Sequence, residues 1–118
     1  MIHRADVVIA RFPFAGSGGY KVRPAIVVQC DRLNRKIQNT ILAMVTGNTK
    51  LANVEPTQFL VNPATPEGAS SGLSMVSAVK CENLVTVPQT DILDTLGRLS
   101  DALKKKLNDS LKAALEVS

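Results

Sequence analysis

Residues 6–14 read Asp-Val-Val-Ile-Ala-Arg-Phe-Pro-Phe, a β-branched and aromatic run that meets a proline near its end, and this predicts a first strand. Residues 15–21 hold three glycines and a serine, which predicts an exposed loop where positive φ is cheap. Residues 23–29 form a second predicted strand. Its apolar stretch lacks alternation, which implies burial on both faces, and Pro24 belongs at its first residue or on an edge because it has no N–H for a ladder. Residues 31–39 are polar and irregular and suit one helical turn, after which residues 40–46 supply a third strand. A turn-rich connection over 47–53 leads to a short fourth strand, 57–61, that stops at Asn62-Pro63. The Pro- and Gly-containing segment 64–72 reads as a surface loop. Residues 74–80, with valines at 76 and 79, and residues 83–87 give a fifth strand region and its extension. No helical crossover separates these strands, so the sheet is expected to be antiparallel.

The period changes near Ser100. Leu99, Leu103, Leu107, Leu111 and Leu115 recur every four residues, with Ala102 and Ala114 beside them, while Lys104, Lys105, Asn108, Asp109 and Lys112 fill the remaining positions. This is the pattern of an amphipathic helix. Ser100 is placed to cap it and Asp101 to favour the helix dipole from the first turn. The run Lys104 to Lys106 reads as a solvated helix face, with phosphate contact as the alternative. The expected architecture is mainly β: a small, strongly twisted antiparallel barrel of about five strands, closed by one carboxyl-terminal helix, with residues 1–118 as a single domain.

Composition supports a folded chain and narrows its chemistry. Of 118 residues, 45% are apolar and 20% charged, as in ordinary globular domains and unlike disordered segments. A chain of this mass buries about two-thirds of its unfolded surface. Its apolar runs fall well short of the roughly 18 residues a membrane span needs, and no apolar leader core with a cleavage site follows the amino terminus, so the expected compartment is the cytoplasm. Fourteen basic against ten acidic residues leave a net charge of +4, which favours an anionic partner without naming one and is also usual for solubility. Cys30 and Cys81 form no CxxC pair and read as reduced, partly buried thiols. With His3 as the one histidine, an ordinary protein-built zinc site lacks ligands, and no metal or other cofactor is expected. Phosphate-loop, serine-hydrolase, metalloprotease and dinucleotide fingerprints are missing.

What remains is a glycine-rich loop that delivers the chain to Lys21-Val22-Arg23-Pro24. Pro24 biases Arg23 toward extended geometry, so the guanidinium is held at the start of a rigid strand, a disposition that suits a phosphate. A strand-edge arginine in a surface ion pair is the plain alternative. Among four aromatic residues, Phe12, Phe14 and Phe59 lie in strand patterns and belong to the core. That leaves Tyr20, in the loop with the hydroxyl of Ser17, as the aromatic outside the core.

These fragments, taken in order, resemble a known family. Asp-Val-Val with Phe-Pro-Phe, the glycine loop, Val-Arg-Pro-Ala-Ile-Val-Val-Gln, Asn34, Val45-Thr46, Ser-Gly-Leu at 71–73, Cys-Glu-Asn-Leu-Val-Thr-Val at 81–87 and Leu-Gly-Arg-Leu-Ser at 96–100 are similar to the MazF/PemK toxin ribonucleases over nearly the whole chain. The resemblance implies an SH3-like barrel with a carboxyl-terminal helix. It further implies a homodimer that cuts single-stranded RNA at short sequences without metal and is silenced by an antitoxin. Arg23 and Thr46 would carry catalysis, with Asp6 in support. Lys80 and Glu82 match the basic and acidic positions assigned acid and base roles in the PemK-like branch, and Ser17, Gly18, Tyr20 and Lys21 would meet RNA. Two positions depart from that branch: its loop histidine is absent from Gly16-Ser17-Gly18, and Gly47 replaces the serine after the threonine.

The chemistry is self-consistent. RNA carries its own nucleophile, the 2′-hydroxyl, so the protein must help remove that proton, stabilise the phosphorane and protonate the leaving 5′-oxygen. The products would be a 2′,3′-cyclic phosphate, or the 3′-phosphate after hydrolysis, and a 5′-hydroxyl. Arginine's planar, permanently charged fork matches two phosphoryl oxygens. For Thr46 the residues alone leave open a turn-capping role, and for Lys80 and Glu82 an outward surface pair. Two other readings stand beside the nuclease: a non-catalytic SH3-like module that binds nucleic acid or peptide, and a toxin relative with another target.

Overall fold

The computed structural model describes residues 1–13 and 18–118, so the expectations for Phe14, Gly16 and Ser17 lie outside the described residues. The elements run β1 (Asp6–Pro13), β2 (Tyr20–Val27), α1 (Asp31–Lys36), β3 (Asn39–Thr46), β4 (Gln58–Val61), β5 (Ser77–Pro88), β6 (Ile92–Arg98) and α2 (Asp101–Leu115). The strands form one antiparallel sheet in the order β4-β5-β3-β2-β1-β6.

Two apolar clusters occupy the two faces. On one, Val7, Ile26, Ala43, Val45, Phe59, Val61 and Val79 pack with Leu99, Leu103 and Leu107 of the helical segment. Ser100 caps α2, its side-chain oxygen accepting the Leu103 N–H at 3.3 Å. Each leucine buried there contributes about 1.5–3 kcal/mol. The apolar stripe is shorter than its spacing implies, because Leu115 is 56% exposed. On the other face Val8, Ala10 and Phe12 of β1 meet Ala25, Val27 and Leu42, with Val87 of β5. Strands β1 and β5 are three places apart in the sheet, so their contact requires the sheet to curl on itself, as expected of a barrel.

Several expectations are corrected in detail. Strand β2 begins at Tyr20 rather than Arg23, since Tyr20, Lys21 and Val22 already pair with Pro13, Phe12 and Arg11. The fifth strand is one continuous run of 12 residues. A sixth strand, β6, was not anticipated: most of it is exposed or half-buried, so it carries little apolar alternation. Within it Gly97 marks a close approach, because a Cβ there would run into the Ser70 carbonyl. Segment 64–72 does not simply cross the surface. It folds into a 3-10 turn, Ala69–Ser71, that buries Ser71 completely. Gly72 then adopts φ 72°, and a Cβ on it would strike the Leu96 carbonyl, so two glycines lock this turn against β6.

Candidate functional site

Pro24 does not sit at a strand's first residue or on an edge. It lies inside β2, opposite Ile9 of β1, and it is where pairing with β3 stops: the β2–β3 ladder runs Val27↔Leu42, Ile26↔Ala43, Ala25↔Met44 and goes no further. A residue with no N–H cannot extend the ladder, so the two strands part beyond it. Continuing the same register by two residues sets Arg23 opposite Thr46, and both line a cavity of about 160 Å³ with Pro24, Val45, Gly47 and Met75. The proline thus opens the cleft that its neighbour occupies.

Arg23 is half-buried, and the structure gives it no hydrogen-bond or salt-bridge partner among the described residues. A surface ion pair therefore does not account for it. Thr46 Oγ1 accepts the Asn48 N–H at 3.2 Å, which fulfils the turn-capping role and leaves the hydroxyl's own proton free to donate into the cleft. Arg23 also lines a second cavity of about 380 Å³, with Phe12, Met44 and Asn83 among its walls.

Next to Thr46 lies a small cavity of about 70 Å³ lined by Thr46, Asn48, Leu51, Gln58 and Lys80. Lys80 reaches it because Gln58, Lys80 and Met44 are successive cross-strand partners on one face of the sheet. Glu82 stands apart from these two smaller cavities. Its carboxylate accepts Gln58 Nε2 at 2.7 Å and Thr57 Oγ1 at 3.1 Å. Partial burial works against its charge, but these hydrogen bonds, with the nearby Lys80 ammonium, hold its pKa below the ordinary carboxylate value.

Other expected site residues fall elsewhere. Asp6 is buried at the far end of β1, accepting the His3 N–H at 2.8 Å and facing Arg98 Nη2 at 3.7 Å. Arg23 pairs with Ala10, so four residues, about 13 Å of strand, separate Asp6 from its level. His3 is exposed. Tyr20 is 56% exposed, with the Arg11 guanidinium 5.7 Å from its ring centre. Together with Gly18, Gly19 and Asp91 these two line a cavity of about 370 Å³. Lys21 shares the Arg23 face of β2 and is exposed. Cys81 is buried, which pushes its thiol up to about 12, whereas Cys30 is exposed; both are free. Among the described residues no group of three or more His, Cys, Asp or Glu is placed to hold a metal ion.

Gln58, Asn48 and Met75 join the site without having been singled out in the sequence. Only tertiary pairing brings them there, and the one local signal was Gln58, a polar residue that the structure buries in an otherwise apolar strand.

Comparison with known proteins places this architecture. The chain is 32% identical to endoribonuclease MazF6 of Mycobacterium tuberculosis over 119 residues, covering 99% of each chain. It is 28% identical to endoribonuclease MazF of Staphylococcus saprophyticus, covering 98% of this chain and 92% of that one. Its fold matches a mycobacterial endoribonuclease solved in complex with its cognate antitoxin, with TM-score 0.77, 20% identity and coverage of 100% and 98%. MazF of Deinococcus radiodurans gives TM-score 0.74 at 18% identity, covering 98% and 97%. Among the described residues no helix is long and apolar enough to cross a membrane. Residues 3–115 match the family model described as PemK-like, MazF-like toxin of type II toxin-antitoxin system, and the chain belongs to that family.

Proposed function

We propose that this chain is the toxin of a toxin-antitoxin pair, an endoribonuclease that cleaves single-stranded RNA in the cleft between β2 and β3. The observation that carries this reading is the cleft itself: an arginine with no hydrogen-bond or ion-pair partner among the described residues faces a strand-end hydroxyl across the gap that Pro24 opens. The 2′-hydroxyl of the substrate gives up its proton to solvent as its oxygen attacks phosphorus, and the bond from phosphorus to the 5′-oxygen breaks. A 2′,3′-cyclic phosphate and a 5′-hydroxyl result. Charge builds on the non-bridging oxygens, where the Arg23 fork and the Thr46 hydroxyl meet it. Lys80, beside Thr46, is placed to protonate or neutralise the leaving oxygen. Glu82 acts as a positioning residue, holding Gln58 and Thr57 rather than touching RNA. Tyr20 and Lys21, with Gly18, extend the RNA's path beyond the cleft. Asp6 serves the fold by anchoring the amino terminus to β6.

The rim of the cleft supports a dimer and an antitoxin. Leu51, Val54 and Met75 are 54%, 74% and 60% exposed, and Leu51 and Met75 line the cavities on either side of Thr46. Apolar surface of this kind around a functional cleft marks a protein interface. One occupant is a second copy of the chain, and an acidic antitoxin segment laid along the groove is the other. Relatives of this fold have been solved as MazE–MazF complexes from Deinococcus radiodurans. The protein acts in the cytoplasm as a single domain and needs no cofactor.

The test incubates the pure protein with a long defined RNA in EDTA, beside Arg23→Ala, and maps the new ends. Cuts at a recurring short motif with 5′-hydroxyl termini, lost in the variant, are expected. Intact RNA would refute the reading in favour of a binding module, and light scattering that finds a monomer at micromolar concentration would refute the dimer.

A further inference from the structure

We infer that the 380 Å³ cavity on the other side of Arg23 is a nucleobase pocket in which Asn83 reads the edge of one base next to the scissile phosphate. The inference rests on the nuclease reading above and concerns sequence choice, which that reading leaves open.

The pocket exists because β5 is irregular. Ala43 pairs with Leu84, yet the next residue of β3, Met44, pairs with Lys80, so Cys81, Glu82 and Asn83 have no partner on β3. An insertion of this kind bends a strand and re-aims its side chains, and such bulges concentrate beside functional sites. Here Cys81 turns into the core and Glu82 toward β4. Asn83 is left half-buried among the pocket walls, with Phe12, Met44, Leu84 and Val85. The volume lies within the range of small-molecule sites, about 300–1,000 Å³.

Asn83 is under-used by the protein. Among the described residues its one hydrogen bond is from Nδ2 to Met44 Sδ, 3.4 Å, and a thioether is a weak acceptor. The carbonyl oxygen and the second amide hydrogen have no partner among the described residues. An amide offering one donor and one acceptor matches the paired groups along a base edge. Apolar walls around a single such amide describe a pocket that takes a flat heteroaromatic ring and checks its orientation. Because Arg23 lines both this pocket and the cleft, a base seated here belongs to a nucleotide adjoining the bond that breaks.

The experiment maps cleavage of one long RNA by wild type, Asn83→Ala and the isosteric Asn83→Asp, which cannot donate from that position. It then measures kcat/KM on four oligonucleotides that differ in one base next to the cut. Wild type should discriminate at that position by about tenfold or more. Asn83→Ala should cut sites that differ there at nearly equal rates while keeping the rest of the motif, and Asn83→Asp should change which base is preferred. An unchanged motif in both variants, or a uniform fall at all sites, overturns the inference even though the protein is a nuclease. If wild type cuts no RNA, the functional reading itself has failed. Melting curves identify a misfolded variant, and the isosteric substitution then carries the test.

Discussion

On the proposed reading, replacing Arg23 should separate catalysis from folding, because this side chain serves the fold so little. It is half-buried, has no hydrogen-bond or ion-pair partner among the described residues, and stands where β2 has already parted from β3. Truncation to alanine therefore strands no buried acceptor, and the expected change in stability is within about 0.5 kcal/mol. Its effect on the reaction is of another size. A preorganised donor aimed at developing charge is worth about 2.7–4 kcal/mol, so Arg23→Ala should lower kcat by about 100- to 1,000-fold. Arg23→Lys keeps the charge and loses the two-pronged geometry, which should recover only part of that loss. The assay follows a fluorogenic RNA oligonucleotide carrying a mapped site, in EDTA, with melting curves on the same samples. A loss confined to KM would make Arg23 a phosphate anchor rather than a stabiliser of the phosphorane. A variant that folds normally and retains kcat/KM within about threefold of wild type would refute the assignment.

Thr46→Val, which removes the hydroxyl and keeps the shape, should cost about tenfold to a hundredfold in kcat while Thr46→Ser keeps most of the activity, as single-turnover rates would show. Gly97→Ala should destabilise the protein by more than about 1 kcal/mol in urea unfolding, because its Cβ has no room beneath the Ser70 carbonyl. Asp31 is held below the ordinary carboxylate value by the Arg4 N–H at 2.6 Å, and Glu82 by Gln58 and Thr57 against partial burial. Both bind fewer protons folded than unfolded. Their stabilisation is complete above the ordinary carboxylate range and declines as the pH falls through it, and it should vanish in Asp31→Asn, Glu82→Gln unfolding curves. Iodoacetamide at pH 8 should modify Cys30 and spare Cys81, whose thiol burial raises to about 12, by intact-mass spectrometry with unfolded protein as the control.

How much of this could be read in the sequence depended on whether the signal was local. The β-branched run of β1, the four-residue leucine spacing of α2 and the Ser100 cap are properties of neighbouring residues, and they predicted their elements closely. Strand β6 was missed because its stability comes from pairing to β1 and from the turn that Gly72 and Gly97 lock against it, not from apolar alternation. The Ser-Gly-Leu and Leu-Gly-Arg-Leu-Ser fragments that carried part of the family resemblance turn out to be the two halves of that lock. Asn34, another such fragment, is buried, its amide joined to Gln29 and its carbonyl oxygen accepting Thr40 Oγ1 at 2.7 Å. It therefore marks fold rather than catalysis. Arg23 and Thr46 were legible as candidates, but their meeting was not, because it depends on the β2–β3 register. Asp6, at an acidic position of the family, accepts the His3 N–H and faces Arg98, surroundings that only the folded chain reveals.

The site arises where β3 loses regular partners on both sides at one level. Toward β2 the ladder ends at Ala25↔Met44 because Pro24 has no hydrogen to offer, and toward β5 the register jumps between Ala43 and Met44. Either irregularity alone would leave an ordinary edge or kink. Together they free space on two sides of Arg23, and the two cavities it lines are those spaces. The cost to the fold is limited, since β5 stays paired with β4 from Ser77 to Lys80 and α2 covers the opposite face. Restoring the ladder should therefore damage function more than stability. Pro24→Val returns the N–H and a β-forming side chain, and it should hold or raise the melting temperature while narrowing the cleft and lowering kcat. A variant that melts higher and cleaves as fast as wild type would break the link between the interrupted ladder and the chemistry.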